Sequence, residues 1–168
     1  MSSTTGRVLI TDFDGTLVKL AVDWPALRAR LGVQRIGDVV TRGDPQLLRT
    51  IAAAEREGAI AGQPVEPALA FVRGFDRCAV LSDNSEIAID AFLSGYPEIR
   101  ARCDVVVGRE SLGGPKSERE HFVDGLEICR RALGGGEHVV YLGDTAYELA
   151  FARELGLETI DVASLQIE

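Results

Sequence analysis

The chain has 168 residues, 46% hydrophobic and 26% charged, which suits one ordinary domain and excludes intrinsic disorder. A chain of this size buries roughly 70% of the surface its unfolded form exposes, so it needs neither a disulfide nor a metal to fold. The formal net charge of -8 excludes a general nucleic-acid binder, because no basic stripe is present to neutralise phosphates.

The first predicted element is the β-branched run Val8 to Ile10, a buried strand that stops at Thr11-Asp12. From about Leu20 to Gly62 the pattern holds at least two helical segments, Trp24 to Leu31 and Pro45 to Glu57, and no convincing strand. A helix over Val65 to Phe75 returns the chain to the core. The second strand, Cys78 to Leu81, stops at Ser82-Asp83-Asn84. The next helix spans Glu86 to Leu93, with Ile87, Ile89, Ala91, Phe92 and Leu93 as its apolar residues. Val105 to Val107 is the third strand. A helix over Ser117 to Leu133 places Phe122, Leu126, Cys129 and Leu133 on one face, and Ser117 with Glu120 has capping-box spacing. The fourth strand, Val139 to Leu142, stops at Gly143-Asp144. The helix over Thr145 to Leu155 turns Leu149, Ala152 and Leu155 inward and ends at Gly156. Glu158 to Ile160 is a weaker fifth strand.

Strand and helix alternate, and the strands are continuously apolar. The expected fold is therefore α/β, with a doubly wound, mostly parallel, Rossmann-like sheet. Residues 1–19 and 63–168 form the expected core, and residues 20–62 a small helical insertion after the first strand. Cys78, Cys103 and Cys129 are widely spaced and odd in number, and read as buried free thiols in a reducing cytoplasm. No signal-peptide pattern opens the chain, and no apolar run reaches the roughly 20 residues of a membrane helix. The expectation is a cytoplasmic protein with no membrane and no nucleic-acid partner.

Ligands of an open parallel sheet bind beyond the carboxyl ends of its strands. Asp12 with Asp14, Ser82 and Asp144 each follow a strand directly, so the topology can gather them. In Thr11-Asp12-Phe13-Asp14-Gly15-Thr16, one carboxylate can attack phosphorus and a second can protonate the leaving oxygen. Gly15 lets the backbone approach a phosphate closely. Lys116 lies in the Gly113-Gly114-Pro115-Lys116 loop, just before a helix.

These motifs resemble those of the haloacid dehalogenase superfamily, in particular its phosphatases such as the phosphoglycolate phosphatase-like hydrolases. The resemblance runs from Val8 to about Asp161, apart from the insertion. It implies that Asp12 is the nucleophile and Asp14 the general acid and base. It implies that Ser82 and Lys116 bind the transferring phosphoryl group, with Gly15 and Asn84 assisting. The strand then Gly143-Asp144 matches the fourth motif, whose second acid is usually Asp and here is Glu148. Asp12 and Asp144 through side chains, and Asp14 through its backbone carbonyl, are the implied metal ligands. Hard oxygen ligands completed by water and phosphate suit magnesium. Lys116 and the metal then offset the repulsion between an acidic protein and an anionic substrate.

In this family an insertion after the first motif is a cap that covers the site. Arg28, Arg30, Arg35, Arg42 and Arg49 lie in it as candidate contacts for an anionic substrate tail, and Trp24 as an anchor or lining residue. The implied activity is hydrolysis of a small phosphorylated metabolite through an aspartyl-phosphate, by a monomer or homodimer. The rivals are a phosphomutase sharing every residue named and a non-catalytic phosphate-binding protein on the same scaffold. A dehalogenase is disfavoured because Asp14 is present. A receiver-type domain lacks the Asp-x-Asp-Gly-Thr arrangement.

Overall fold

A computed structural model describes residues 6–135 and 138–166. Five strands form one parallel sheet: β1 (Arg7–Thr11), β4 (Cys78–Leu81), β5 (Cys103–Val107), β6 (His138–Gly143) and β7 (Glu158–Asp161), in the order β5-β4-β1-β6-β7. β1 is central, pairing Thr11 with Val80 on one side and with Leu142 on the other. Its alternating side chains feed two cores. Leu9 joins Val80 and Val140 beneath helices α4 (Glu66–Arg73) and α5 (Glu86–Leu93). Val8 and Ile10 join Tyr141 beneath α7 (Arg119–Ala132) and α8 (Ala146–Glu154). The sheet is thus covered on both faces, as its continuous apolar strands require.

Phe122, Leu126 and Cys129 of α7 are almost fully buried. Burying each side chain of the Phe or Leu kind is worth roughly 1.5–3 kcal/mol, enough to fix that helix on the sheet. The capping box at its start does not form. The helix begins two residues later than expected, at Arg119, with Glu118 as N-cap and no side-chain cap bond. The cause is local: Glu118 N–H donates to Pro115 O at 3.0 Å, closing a turn around Lys116 before the helix starts. On α5, Ala88, Ile89, Phe92 and Leu93 face the core, whereas Ile87 is 53% exposed.

After β1 the chain turns sharply and forms β2 (Val18–Lys19), which pairs antiparallel with β3 (Gln63–Pro64). Between these short strands lie three helices, α1 (Trp24–Leu31), α2 (Ile36–Arg42) and α3 (Pro45–Ile60). Asp23 caps α1 by accepting from Ala26 N–H, and Asp44 caps α3 by accepting from Gln46 and Leu47 N–H. α2 and the β2–β3 ribbon are additions to the sequence reading, which offered no strand-length apolar run for the ribbon and no clear period for α2. A further short helix, α6 (Pro97–Arg100), precedes β5. α3 packs against α5, and its Glu55 reaches the turn beyond the carboxyl end of β4. The three cysteines are free and buried. No helix among the described residues is long and apolar enough to cross a membrane.

Candidate active site

Asp12 is the first residue beyond the central strand, and its N–H donates to Leu142 O at 2.9 Å, continuing the ladder with β6. Ser82 follows β4 and Asp144 follows β6, so the three arrive at one edge of the sheet. Asp12 is 6% exposed and Ser82 1%. Lys116, from the loop before α7, is buried too, and its Nζ donates to Asp12 Oδ1 at 2.8 Å and to Leu81 O at 3.2 Å. It also forms an ion pair with Glu148 of α8. Burial alone would lower the Lys116 pKa, but the Asp12 carboxylate and the neighbouring acids outweigh it and hold the ammonium charged.

The acids are not balanced by this one cation. Burial first, and then the Asp12 charge, raise the carboxyl pKa of Asp144 above its ordinary value. Burial, then Asp12, also raises Glu148, and the Lys116 charge does not offset them. The two partners differ because Lys116 faces several acids while Glu148 has a single cation. One Glu148 oxygen, Oε2, is buried without a hydrogen-bond partner among the described residues. Oxygens of Asp12, Asp144 and Glu148 lie within 4.8 Å of one another, an all-oxygen donor set suited to a hard divalent cation.

Asp14 stands at the rim, where a tight turn reverses the chain: Leu17 N–H donates to Phe13 O at 2.8 Å. Its Oδ1 accepts from Leu20 N–H at 3.2 Å. Burial, opposed by that bond and helped by Asp12 and Asp144, raises its pKa. Gly15 is the pivot of the turn, with φ +80°. Its N–H is engaged by Val18 O at 2.8 Å. A Cβ at Gly15 would lie 2.2 Å from Asp144 Oδ2, so only glycine admits the Asp144 carboxylate here. Gly15→Ala is expected to lower stability by about 1–3 kcal/mol through backbone strain and displacement of Asp144, measured by urea unfolding. Thr16 Oγ1 sits 3.4 Å from both Asp12 Oδ2 and Asp144 Oδ1, bridging the two acids.

Asn84 lies one turn beyond Ser82. The Ser82 hydroxyl donates to Asn84 Oδ1 at 2.9 Å, and Asn84 N–H donates back to Ser82 Oγ at 3.1 Å. The amide Nδ2 of Asn84 is committed to Glu55 at 3.2 Å. Asp83 ties this turn to the lysine loop by accepting from Lys116 N–H at 2.9 Å.

The structure therefore brings Asp12, Asp14, Gly15, Ser82, Lys116 and Asp144 to one end of the sheet, with Asn84 bound behind Ser82. Sequence reasoning missed Glu55, Thr16 and Arg109. A signal for Glu55 existed: with Ile51, Gly58 and Ala59 it occupies the buried face of α3, a lone charge at core spacing.

Beside the Asp83–Asn84 turn opens a cleft of about 950 Å³, bounded by α1, α2 and α3 on one side and by the Gly113–Pro115 loop on the other. Asp12 and Asp14 do not line it; the cleft meets the acid cluster at Asp83 and Asn84. Of the five arginines noted between residues 20 and 62, Arg28, Arg35 and Arg49 line the cleft with Trp24, while Arg30 and Arg42 do not. Residues 20–62 hold six Lys/Arg against five Asp/Glu, leaving twelve against twenty-one in the rest of the chain. The side facing the sheet edge is thus much the less acidic part.

No family model matches the chain, and no curated protein matches it. Solved structures do. A haloacid dehalogenase-like hydrolase from Bacteroides fragilis superposes with a TM-score of 0.66 at 20% identity, covering 96% of this chain and 89% of the other. The fold is that of the haloacid dehalogenase-like hydrolases. A subfamily IA hydrolase of this superfamily from Geobacter sulfurreducens gives a TM-score of 0.57 at 18% identity over 96% of this chain and 90% of its own. A haloacid dehalogenase family enzyme from Bacteroides thetaiotaomicron, in complex with magnesium and inorganic phosphate, gives 0.59 at 15% identity over 92% and 93%. The haloacid dehalogenase-like core here is the five-stranded sheet with its flanking helices, and the acid cluster lies at the carboxyl edge of that sheet.

Proposed function

We propose that this protein is a magnesium-dependent phosphatase that hydrolyses a small phosphate monoester by way of a phosphorylated Asp12. One observation carries the reading: a buried carboxylate at the end of the central strand, paired with a buried ammonium at 2.8 Å and flanked by two further acids of raised pKa.

Lys116 engages Oδ1 of Asp12, which leaves Oδ2, with only a long contact to Thr16, as the attacking oxygen. In the first step Oδ2 bonds to phosphorus and the ester P–O bond breaks. Asp14, whose raised pKa suits a carboxyl that must hold a proton, gives that proton to the departing oxygen. In the second step Asp14, now a carboxylate, takes a proton from water, whose oxygen bonds to phosphorus as the bond to Asp12 breaks. Phosphate leaves and both acids are restored. Lys116 balances negative charge that moves between Asp12 and the phosphoryl oxygens. Ser82 turns its hydroxyl from Asn84 toward a phosphoryl oxygen. Gly15 contributes by admitting Asp144 so closely. Bound magnesium supplies charge neutralisation between nucleophile and phosphoryl group. Asp12 and Asp144 side chains and the Asp14 carbonyl would hold it; Glu148, paired with Lys116, belongs to the shell behind.

We take residues 20–62 as the cap of this site. The side chains of Arg28, Arg35 and Arg49 make no hydrogen bond or ion pair among the described residues, which favours a substrate whose leaving group carries an anionic tail.

The test is a screen of purified protein against phosphate esters with magnesium. Release of inorganic phosphate, abolished by a chelator and restored by magnesium, is expected; no release from any ester overturns the proposal. Asp144→Asn separates metal binding from folding. It removes a carboxyl whose raised pKa makes the folded state less stable as pH rises through that pKa; because Asp144 is solvent-exposed the effect is small, and without metal Tm is expected to hold or rise slightly at neutral pH. Magnesium binding, followed by calorimetry, is expected to fall at least about tenfold.

A further inference from the structure

Glu55 is a cap residue on α3, yet its side chain is 2% exposed and the groups that donate to it, on Asn84, Ser85 and Arg109, belong to the core. Oε1 accepts from Asn84 Nδ2 at 3.2 Å and from Arg109 Nη1 at 2.9 Å. Oε2 accepts from Ser85 N–H at 3.0 Å and from Arg109 Nη2 at 2.9 Å. Arg109 is itself tied to the same turn, since its Nη1 also reaches Asp83 O at 3.2 Å and its N–H donates to Asn84 O at 2.9 Å. One carboxylate thus receives four hydrogen bonds, two from Asn84 and Ser85 directly and two from Arg109, which is itself bonded to the same turn.

The charge on Glu55 fixes more than the backbone. A carboxylate only accepts, so Asn84 must present its NH₂ to Glu55. Its Oδ1 then faces the other way, toward the Ser82 hydroxyl, which it holds at 2.9 Å. A flipped Asn84 would set Oδ1 against Glu55 and break the contact. The chain Glu55–Asn84–Ser82 therefore dictates where the Ser82 oxygen stands and where its proton rests before substrate arrives.

We propose that Glu55 is a positioning residue for the phosphoryl-binding hydroxyl of Ser82, acting through Asn84, so that docking of the cap helix and readiness of the core site are one event. This rests on the reading of Ser82 given under Proposed function. It assigns the cap a second task besides covering the site: α3 completes the wall that holds the phosphoryl-binding turn.

Glu55→Gln keeps size and shape but offers one acceptor oxygen where four donors converge, so its NH₂ must face a donor whichever way it turns. Asn84→Ala breaks the link to Ser82 while leaving the Glu55–Arg109 pair intact, and it serves if Glu55→Gln fails to fold. The experiment is a double-mutant cycle with Ser82→Ala. It reads kcat on phosphate esters and the affinity for inorganic phosphate with magnesium by calorimetry. In the native background each variant is expected to lose about tenfold in both readouts; in the Ser82→Ala background the further loss is expected to shrink below about twofold. Equal losses in the two backgrounds, or none in the native one, overturn the proposal, since a merely structural Glu55 acts whether or not Ser82 is present. A protein that binds phosphate but hydrolyses no ester refutes the phosphatase reading, and the cycle is then decided on binding alone. A native protein that binds no phosphate overturns both.

Discussion

Asp12→Asn is expected to abolish turnover, with kcat falling about 10⁴-fold or more, while the protein stays folded. An amide oxygen cannot form the acyl phosphate, yet the substitution adds no heavy atoms. The new amide keeps an acceptor for Lys116 and gains an NH₂ that can meet Thr16 Oγ1, which lies 3.4 Å from the present Asp12 Oδ2. The charge it removes is one of those raising the pKa of Asp14, Asp144 and Glu148. The same charge is the main support of the buried Lys116 ammonium, so the two effects oppose each other and Tm should change little as activity disappears. Residual turnover near that of the native protein, with unchanged circular dichroism, would refute Asp12 as the nucleophile.

Lys116→Met is expected to damage both activity and stability. The ammonium is buried, and among the described residues it alone offsets Asp12 and Glu148 at contact distance. Removing one partner of a buried ion pair leaves a desolvated charge behind and destabilises by about 3–5 kcal/mol. For a chain of this length that is a Tm fall of roughly 6–20 °C. The deficit should grow with pH. Glu148 has a raised folded-state pKa, and losing the cation raises it further. Such a group favours the folded state while protonated and disfavours it as pH rises through the folded pKa, so the variant should recover part of its stability toward about pH 5. Turnover is expected to drop by about 10²–10³-fold, the range for losing one preorganised electrostatic contact to the transition state. A Tm deficit independent of pH would show that packing, not charge, fills this position.

Much of this site could be read from the chain because its parts sit where strands end. Continuous apolar runs gave β1, β4 and β6 almost to the residue, and the polar residue after each became a member of the cluster. Lys116 was placed by its loop alone. Glu148 was recognised as the second acid of its motif; its pairing with Lys116 was not, because nothing in sequence tells which cation a buried acid will meet. α2 escaped because its helix is short and carries only one fully buried residue, Val39. The capping box at Ser117 failed because a turn around Pro115 claimed the backbone first. Glu55 was the most legible of the missed residues. It is an acid on the inward stripe of an amphipathic helix, where burial without partners is prohibitively costly, so partners had to exist. Identifying them required the fold, since Asn84 and Arg109 lie 29 and 54 residues away.

β1 is hydrogen-bonded along both edges, whereas helices α1 to α3 leave and rejoin the chain through a ribbon only two residues long. Amide protons around the nucleophile should then exchange with solvent only when the entire molecule opens. Those of residues 24–42, whose two helices bury one side chain each, should exchange through partial detachment at far lower free energy. Thermal or chemical stress would strip the roof from the chemistry long before it dismantled the bench on which the chemistry stands.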